Sequence, residues 1–96
     1  MAYEIVLTDR VATKLSGIRT FDRTKIRDAI ELHLRYEPTR ESRSRIKKLI
    51  QPAISQFRLR VGEFRVYYDV VDESREVHVV YIFEKGTEAT PEESEL

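Results

Sequence analysis

The chain has 96 residues, which suffices for one domain with a single small hydrophobic core. It contains no cysteine, which excludes disulfide bonds and thiolate metal ligands and suits a reducing compartment. No apolar run approaches the roughly 20 residues of a membrane helix, and the N-terminus lacks a signal-peptide pattern. We therefore expect a soluble, cytoplasmic protein without membrane contact.

The formal net charge of zero conceals an uneven distribution. Residues 10 to 65 hold fifteen Lys or Arg residues against six Asp or Glu residues, a net charge of +9. Residues 66 to 96 hold two against nine, a net charge of −7, and residues 1 to 9 supply the remaining −2. A basic body suggests an anionic partner, most commonly nucleic acid, although a solvated surface with mixed charges accounts for the same composition.

The first predicted elements are a short strand over residues 3 to 7 and a helix directly after it. Thr8 or Asp9 can cap this helix, and Gly17 ends it. Its apolar positions fall on one side: Val11, Ala12 and Leu15.

A second, longer helix is predicted from its cap Asp22 up to Pro38, whose ring forbids continuation. Core-facing positions recur in it at three-and-four spacing, with His33 at the boundary of the core: Ile26, Ala29, Ile30, His33 and Leu34. The charged residues 39 to 45 then predict a loop, and residues 46 to 50 a short strand that Pro52 closes.

From residue 57 the hydrophobic period changes to two, which predicts three strands, FRLRV, FRVYYDVV and EVHVVYIF, joined by two short turns. The order of elements predicts an α+β fold. In it, the N-terminal strand and a two-helix hairpin pack on one face of an antiparallel β-meander. Residues 1 to 86 then form a single domain, and residues 87 to 96 an acidic tail that we expect to be disordered.

The turn between the first two meander strands sets their register. If residues 62 and 63 form it, Arg60 faces Arg65 and Arg58 faces Tyr67. One sheet face then packs under the helices: Phe57, Leu59, Val61, Phe64, Val66, Tyr68, Val70, Val77, Val79, Tyr81 and Phe83. The opposite face holds the polar set with two apolar neighbours: Arg58, Arg60, Arg65, Tyr67, Asp69 and His78, with Val80 and Ile82.

Three guanidinium groups therefore meet on one face, although like charges across a sheet are destabilising. One interpretation is an ordinary surface, with Asp69, Glu63 and solvent absorbing the charge. The other is a phosphate site, because guanidinium groups match phosphate oxygens bidentately and Tyr67 can stack on an unpaired base.

This region resembles the hallmark of RelE/ParE toxins. The segments IKKLI, FRLRVGEFRVYYDVV and EVHVVYIF are similar to the family's K-x-L element and its Y-R-x-R-x-G-x-Y-R-x-x-Y pattern. The preceding strand and helices agree with the family's order of elements. The resemblance implies the toxin of a type II toxin–antitoxin system, bound by a cognate antitoxin that covers basic surface. A heterotetramer with that antitoxin is compatible with it, and no metal or organic cofactor is implied.

The superfamily divides by target. RelE-like members cut messenger RNA on the ribosome, and the resemblance favours this function, that of a metal-independent endoribonuclease (mRNA interferase) that inhibits translation. ParE-like members poison DNA gyrase without cutting nucleic acid. Family nucleases tend to place Arg, His or Tyr after the last strand, and this sequence has none there, which favours the ParE-like function. A catalytically degenerate antitoxin-binding module is the third interpretation.

The resemblance also implies site residues. Arg65 matches the arginine that contacts the scissile phosphate, Arg58 matches a basic position of the preceding strand, and Gln56 replaces another. His78 is the candidate proton carrier because it shares the arginine face, the alternative being a partly exposed histidine paired with Asp69. Further RNA contacts are predicted for Arg60, Tyr67, Lys47, Lys48 and Arg45. A solvated loop explains Lys47, Lys48 and Arg45 equally well.

Overall fold

The computed structural model of the chain describes residues 2 to 86, so the prediction of a disordered tail over residues 87 to 96 lies outside the described residues. Seven elements follow one another: β1 (Glu4–Leu7), α1 (Asp9–Ser16), α2 (Thr20–Leu34), β2 (Ile46–Lys48), β3 (Phe57–Val61), β4 (Phe64–Val71) and β5 (Glu76–Glu84). The predicted α+β fold is confirmed. Neither helix has the length and apolarity that crossing a bilayer requires.

The five strands form one mixed sheet in the order β1-β5-β4-β3-β2. The strands from β3 to β5 pair antiparallel in chain order, as the meander predicts, and β2 pairs antiparallel with β3. β1 pairs parallel with β5, so the prediction that the N-terminal strand packs on one face of the meander is wrong: the strand lies in the sheet, as the edge beyond the last strand. The sheet therefore has β1 and β2 at its two edges, with β4 at its centre.

The two helices begin differently. The hydroxyl oxygen of Thr8 accepts a hydrogen bond from the Val11 N–H at 3.2 Å, so Thr8 caps α1 as predicted. α2 begins at Thr20, and its cap position, Arg19, makes no side-chain cap hydrogen bond. The prediction that Asp22 caps α2 is therefore wrong. Its carboxylate lies in the first turn, where it suits the helix dipole, and accepts from Nε of Arg19 at 2.7 Å.

The main core lies between the helices and one face of the sheet. Buried residues of both helices contact it, each set spaced by one turn: Val11 and Leu15 of α1, and Ile26, Ile30 and Leu34 of α2. The predicted helix residues Ala29 and His33 are half-buried at its boundary, whereas Ala12 is exposed. The hydroxyl of the buried Tyr68 donates to the Pro38 carbonyl at 2.5 Å, which ties the segment after α2 to the sheet.

A β-bulge interrupts the pairing of β4 with β5. Tyr67 faces Tyr81, but the next residue, Tyr68, faces Val79, so Val80 is the extra residue in β5. An extra residue shifts the alternation of side chains by one position, which moves every later side chain of β5 to the other sheet face.

The bulge corrects three predicted positions. Ile82, predicted on the arginine face, packs in the helix-side core at 1% exposure. Tyr81 and Phe83, predicted to face the helices, lie on the arginine face instead. A strict period of two through β5 was the wrong assumption, because no glycine or proline in the strand signals the bulge.

A second, smaller apolar cluster lies on the arginine face, with Leu49, Tyr67 and Phe83 buried in it. The segment of residues 49 to 56 folds over the two aromatic rings, whose centroids lie 5.7 Å apart in a stacked arrangement. Its ends are joined, since the Leu49 N–H donates to the Gln56 carbonyl at 2.8 Å. The strand predicted over residues 46 to 50 therefore stops at residue 48, where the chain turns to cover the rings.

Candidate nucleic-acid interface

The register of β3 and β4 agrees with the predicted one. Arg60 faces Arg65 and Arg58 faces Tyr67, joined by the turn of residues 62 and 63. The side chains of Arg58, Arg60 and Arg65 therefore share one face of the sheet. Their positive charges repel one another, so Arg58 and Arg60 both lower the pKa of Arg65.

β2 and the residue before it extend this face by two cations. Lys47 pairs with Arg58. One step along, the Arg60 N–H donates to the Arg45 carbonyl at 2.8 Å, which places Arg45 beside Arg60. The resulting set is called the cationic face below: Arg45, Lys47, Arg58, Arg60 and Arg65.

Lys48 is the one predicted lysine that the register does not bring onto the cationic face. It pairs with Phe57, whose ring packs in the helix-side core, so Lys48 is out of phase with Lys47 by one position. Its backbone N–H donates to the carboxylate of Glu41 at 3.2 Å.

Arg65 is buried rather than solvent-facing. The residue is 6% exposed, and Nη1 donates to the carbonyls of Gly62 at 2.8 Å and Phe64 at 3.0 Å. Burial is the largest cause that lowers the pKa of Arg65, followed by the charges of Arg58 and Arg60. The guanidinium nevertheless stays protonated, because an arginine titrates far above neutral pH. It is a fixed positive charge whose repulsion an anion would relieve.

Tyr67 has no exposed surface, so its ring offers no open face for the predicted stacking on an RNA base. The ring stacks on Phe83 and contacts Tyr81 in a tilted arrangement, with centroids 6.2 Å apart. Residues 49 to 56 cover it. The period of the strand gave its sheet face correctly, but a covering segment cannot be deduced from that period.

His78 faces Asp69 across β4 and β5, as predicted. Its Nε2 donates to the carboxylate of Glu76 at 2.9 Å, and this bond is the main cause that lowers the pKa of Glu76. Asp69 follows Arg65 by four residues in β4, which separates the Cα atoms of His78 and Arg65 by roughly 13 Å along the strand. The structure places His78 on the predicted face but does not bring it to the cationic face.

A groove of about 130 Å³ adjoins the cationic face, between the segment of residues 41 to 47 and the side chains of Arg58 and Arg60. Within residues 2 to 86, no cluster of His, Asp or Glu side chains is arranged to hold a metal ion. The donors around this groove are mainly guanidinium, ammonium and hydroxyl groups. Such a donor set binds phosphate or carboxylate oxygens.

Two solved structures share this arrangement of elements. The archaeal RelE–RelB complex from Pyrococcus horikoshii matches with a TM-score of 0.68 and 22% identity, over 92% of this chain and 100% of that chain. The protein has the RelE fold. An arginine-to-alanine double mutant of Escherichia coli toxin RelE, in the free state, matches with a TM-score of 0.55 and 20% identity, over 91% of this chain and 86% of that chain. No family model matches the sequence, and no curated protein does.

One residue of this RelE fold has a structural role that its sequence position did not indicate. Gln56 replaces a basic residue in the family pattern, and its backbone N–H donates to Asp69 at 2.7 Å. Its side-chain oxygen accepts from the Val70 N–H at 2.9 Å. Gln56 thus binds the end of the covering segment to β4. Because Gln56 is neutral, the positive charge in this region comes from Arg58 and the residues around it.

Proposed function

We propose that the protein is the toxin of a type II toxin–antitoxin system and inhibits translation by cleaving messenger RNA on the ribosome. The RelE fold and the resemblance of residues 46 to 83 support the proposal. The observation that carries it is the placement of Arg60 directly opposite Arg65, with Arg58 beside them. Holding these like charges together costs free energy in the free protein, and a bound phosphodiester would offset that cost.

The cationic face suits the electrostatic part of RNA cleavage. That reaction requires the 2′-hydroxyl to lose a proton, the phosphorane to be stabilised and the 5′-oxygen to leave protonated. The two carbonyls that bind Nη1 hold the Arg65 guanidinium in place before substrate arrives. A donor that is already oriented stabilises a developing negative charge without reorganisation, so Arg65 is the proposed phosphate anchor, assisted by Arg58 and Arg60.

The sequence-based assignment of His78 as proton carrier conflicts with its distance from Arg65. Direct proton transfer needs a heavy-atom separation of about 2.6 to 3.2 Å from the reacting oxygen, or one bridging water. The Cα atoms of His78 and Arg65 lie roughly 13 Å apart along the strand, and the Nε2 of His78 is bonded to Glu76. We therefore expect His78→Gln to preserve cleavage, and its bond to Glu76 gives His78 a structural role.

Poisoning of DNA gyrase is the second candidate function. Two observations favour it: residues 84 to 96 contain no Arg, His or Tyr, and the cationic face has no imidazole. A cationic face without a proton carrier still binds an acidic protein surface or a DNA backbone. A catalytically degenerate, antitoxin-binding module would share these features.

Primer extension on messenger RNA after induction in cells separates these functions. Discrete new 5′ ends support the nuclease, a DNA-damage response without such ends supports the gyrase poison, and neither response supports the binding module. Arg65→Ala should abolish the cuts, whereas the matched variant Arg27→Ala, an exposed arginine of α2, should retain them. Because Arg65 is buried, the thermal unfolding of Arg65→Ala must be recorded alongside, so that loss of the fold is distinguished from loss of cleavage.

A further inference from the structure

The chain exposes two of its nine aromatic side chains, all of which lie in the part of the chain that the structure describes. Phe21 is 69% exposed at the start of α2, and Tyr36 is 66% exposed two residues beyond its end. A third, Tyr81, is half-buried, and the guanidinium of Arg10 lies over its ring at 4.8 Å from the centroid. The rings of Phe21 and Tyr36 are therefore the ones that a ligand can reach.

Tyr36 forms part of the wall of a depression of about 380 Å³. Small-ligand sites typically measure about 300 to 1,000 Å³. Leu32, one helical turn before Tyr36 and on the same side of the helix, adds apolar surface beside the ring. The loop before β2 contributes much of the remaining lining, including Ser42 and Arg45. This depression is called the α2 groove below.

The polar groups of the α2 groove match the edge of a nucleobase. His33 lines the groove, and burial, followed by the charge of Arg45, lowers its pKa. Its imidazole is therefore neutral at pH 7 and carries one donor and one acceptor nitrogen. Ser44 and Arg45 add hydroxyl and guanidinium groups. A base has donors and acceptors on its edge and two faces that stack on aromatic rings, so it suits this lining better than an apolar protein side chain does.

The α2 groove is continuous with the cationic face. Four residues line both this groove and the smaller groove beside Arg58 and Arg60: Ser42, Ser44, Arg45 and Ile46. Arg45 also belongs to the cationic face, because its carbonyl accepts from the Arg60 N–H at 2.8 Å. A single strand of nucleic acid that crosses residues 42 to 46 can therefore contact the guanidinium groups with a phosphate and the α2 groove with a base.

We propose that the α2 groove binds one unpaired base of the RNA strand whose phosphate lies on the cationic face, with the ring of Tyr36 as the stacking surface. This subsite rests on the proposed nuclease function and adds to it a requirement for a single-stranded flank, because a base inside a duplex is already stacked and paired. Tyr36 supplies the stacking for which the buried Tyr67 offers no open face.

The test compares the binding of two short fluorescent probes to the full chain. One probe is a 2′-O-methyl oligoadenylate, and the other is the same sugar–phosphate chain without bases. A methylated 2′-oxygen has no proton to lose, so neither probe is cleaved during the titration. Both probes carry the same phosphates, so the ratio of their affinities measures the contribution of the bases. We expect the wild type to prefer the adenylate probe by at least about tenfold, the scale of one stacked base.

The variants separate the ring from its hydroxyl and from charge. Tyr36→Leu keeps apolar bulk but removes the ring, so the preference for the adenylate probe should fall about tenfold. Tyr36→Phe keeps the ring and should retain the wild-type ratio. Phe21→Leu is the matched control, since it removes an exposed ring of the same helix that does not line the groove, and it should retain the ratio as well. Arg60→Gln should weaken both probes alike, because it removes a charge and no ring.

Three results would overturn the proposal. The first is a wild-type ratio for Tyr36→Leu, and the second is an equal fall for Phe21→Leu or Tyr36→Phe, which would show that the ring of Tyr36 is not the contact. The third is equal affinity of the wild type for the two probes, which would assign the groove to a protein instead of a base. Tyr36 and Phe21 are exposed, so the unfolding temperatures of their variants should stay near the wild-type value.

This outcome is separate from that of the nuclease proposal. If the wild type makes no cuts in messenger RNA but Tyr36→Leu loses the preference for the adenylate probe, the nuclease fails and the base subsite stands. If the wild type cuts and Tyr36→Leu keeps the wild-type ratio, the nuclease stands and the base subsite fails.

Discussion

Arg60 and Arg65 lie directly opposite each other on adjacent antiparallel strands, one exposed and the other buried. Arg65 is the buried residue of the pair. Burial and the charges of Arg58 and Arg60 lower its pKa, which means that they destabilise its charged form. An anion on this face would remove the repulsion. Stability and function are therefore opposed at these positions, as they are at many binding sites.

Removal of the exposed member of this pair should stabilise the protein. Arg60→Gln eliminates a like-charge cross-strand pair, so we expect the free energy of unfolding to rise by about 0.2 to 1 kcal/mol. RNA binding should weaken. The logarithm of the binding constant should also fall less steeply with the logarithm of salt concentration, by about 0.7 in slope for each phosphate contact removed. Urea denaturation and RNA titrations over a salt series measure these effects. Arg27→Gln should change neither, and a lower stability of Arg60→Gln would contradict the repulsion.

Replacement of Arg65 by lysine separates charge from geometry. Lysine keeps the positive charge but lacks the planar fork that binds the carbonyls of Gly62 and Phe64 while facing a phosphate. We expect Arg65→Lys to bind RNA nearly as well as the wild type but to cleave it about 10²-fold more slowly, the scale on which loss of one oriented donor acts. Single-turnover cleavage on ribosomes provides the rate. A wild-type rate for Arg65→Lys would show that a charge alone suffices.

The hydroxyl of Tyr68 should contribute to stability. It is buried and donates to the Pro38 carbonyl, which is buried as well, so Tyr68→Phe leaves an acceptor without its donor. We expect a loss of about 1 to 3 kcal/mol in the free energy of unfolding. For a domain of this size, Tm should fall by about 4 to 8 °C for each kcal/mol. Thermal unfolding measures the loss, with the exposed Tyr36→Phe as the control that should keep the wild-type Tm. An unchanged Tm for Tyr68→Phe would show that the carbonyl is satisfied in another way.

The register of β3 and β4 could be predicted because local chemistry determines it. Gly62 has a φ of 57°, which a glycine adopts at little cost, and a two-residue turn leaves a single pairing for the strands. The helices could be predicted for the same kind of reason, since the spacing of Ile26, Ile30 and Leu34 is a local pattern.

The bulge at Val80 and the burial of Tyr67 could not be predicted in this way. Both depend on contacts between segments far apart in the chain. Residues 49 to 56 cover the rings of Tyr67 and Phe83, and Phe83 reaches that face because the bulge shifts the end of β5 by one position. The local propensities of the strand residues do not indicate the covering segment. The strand period therefore predicted the sheet face of Tyr67 correctly but its exposure incorrectly.

His33 should make stability depend on pH. Burial, followed by the charge of Arg45, lowers its pKa, so the folded protein holds the neutral imidazole more strongly than the unfolded chain does. The stability associated with the neutral form is complete above the unfolded pKa of about 6.5, and it is lost as pH falls through the lower folded value. His33→Gln removes this titration but keeps every carboxylate, so Tm should fall less between pH 7 and pH 5 in the variant than in the wild type. Parallel Tm curves for the two proteins would show that protonation of His33 costs the folded state nothing.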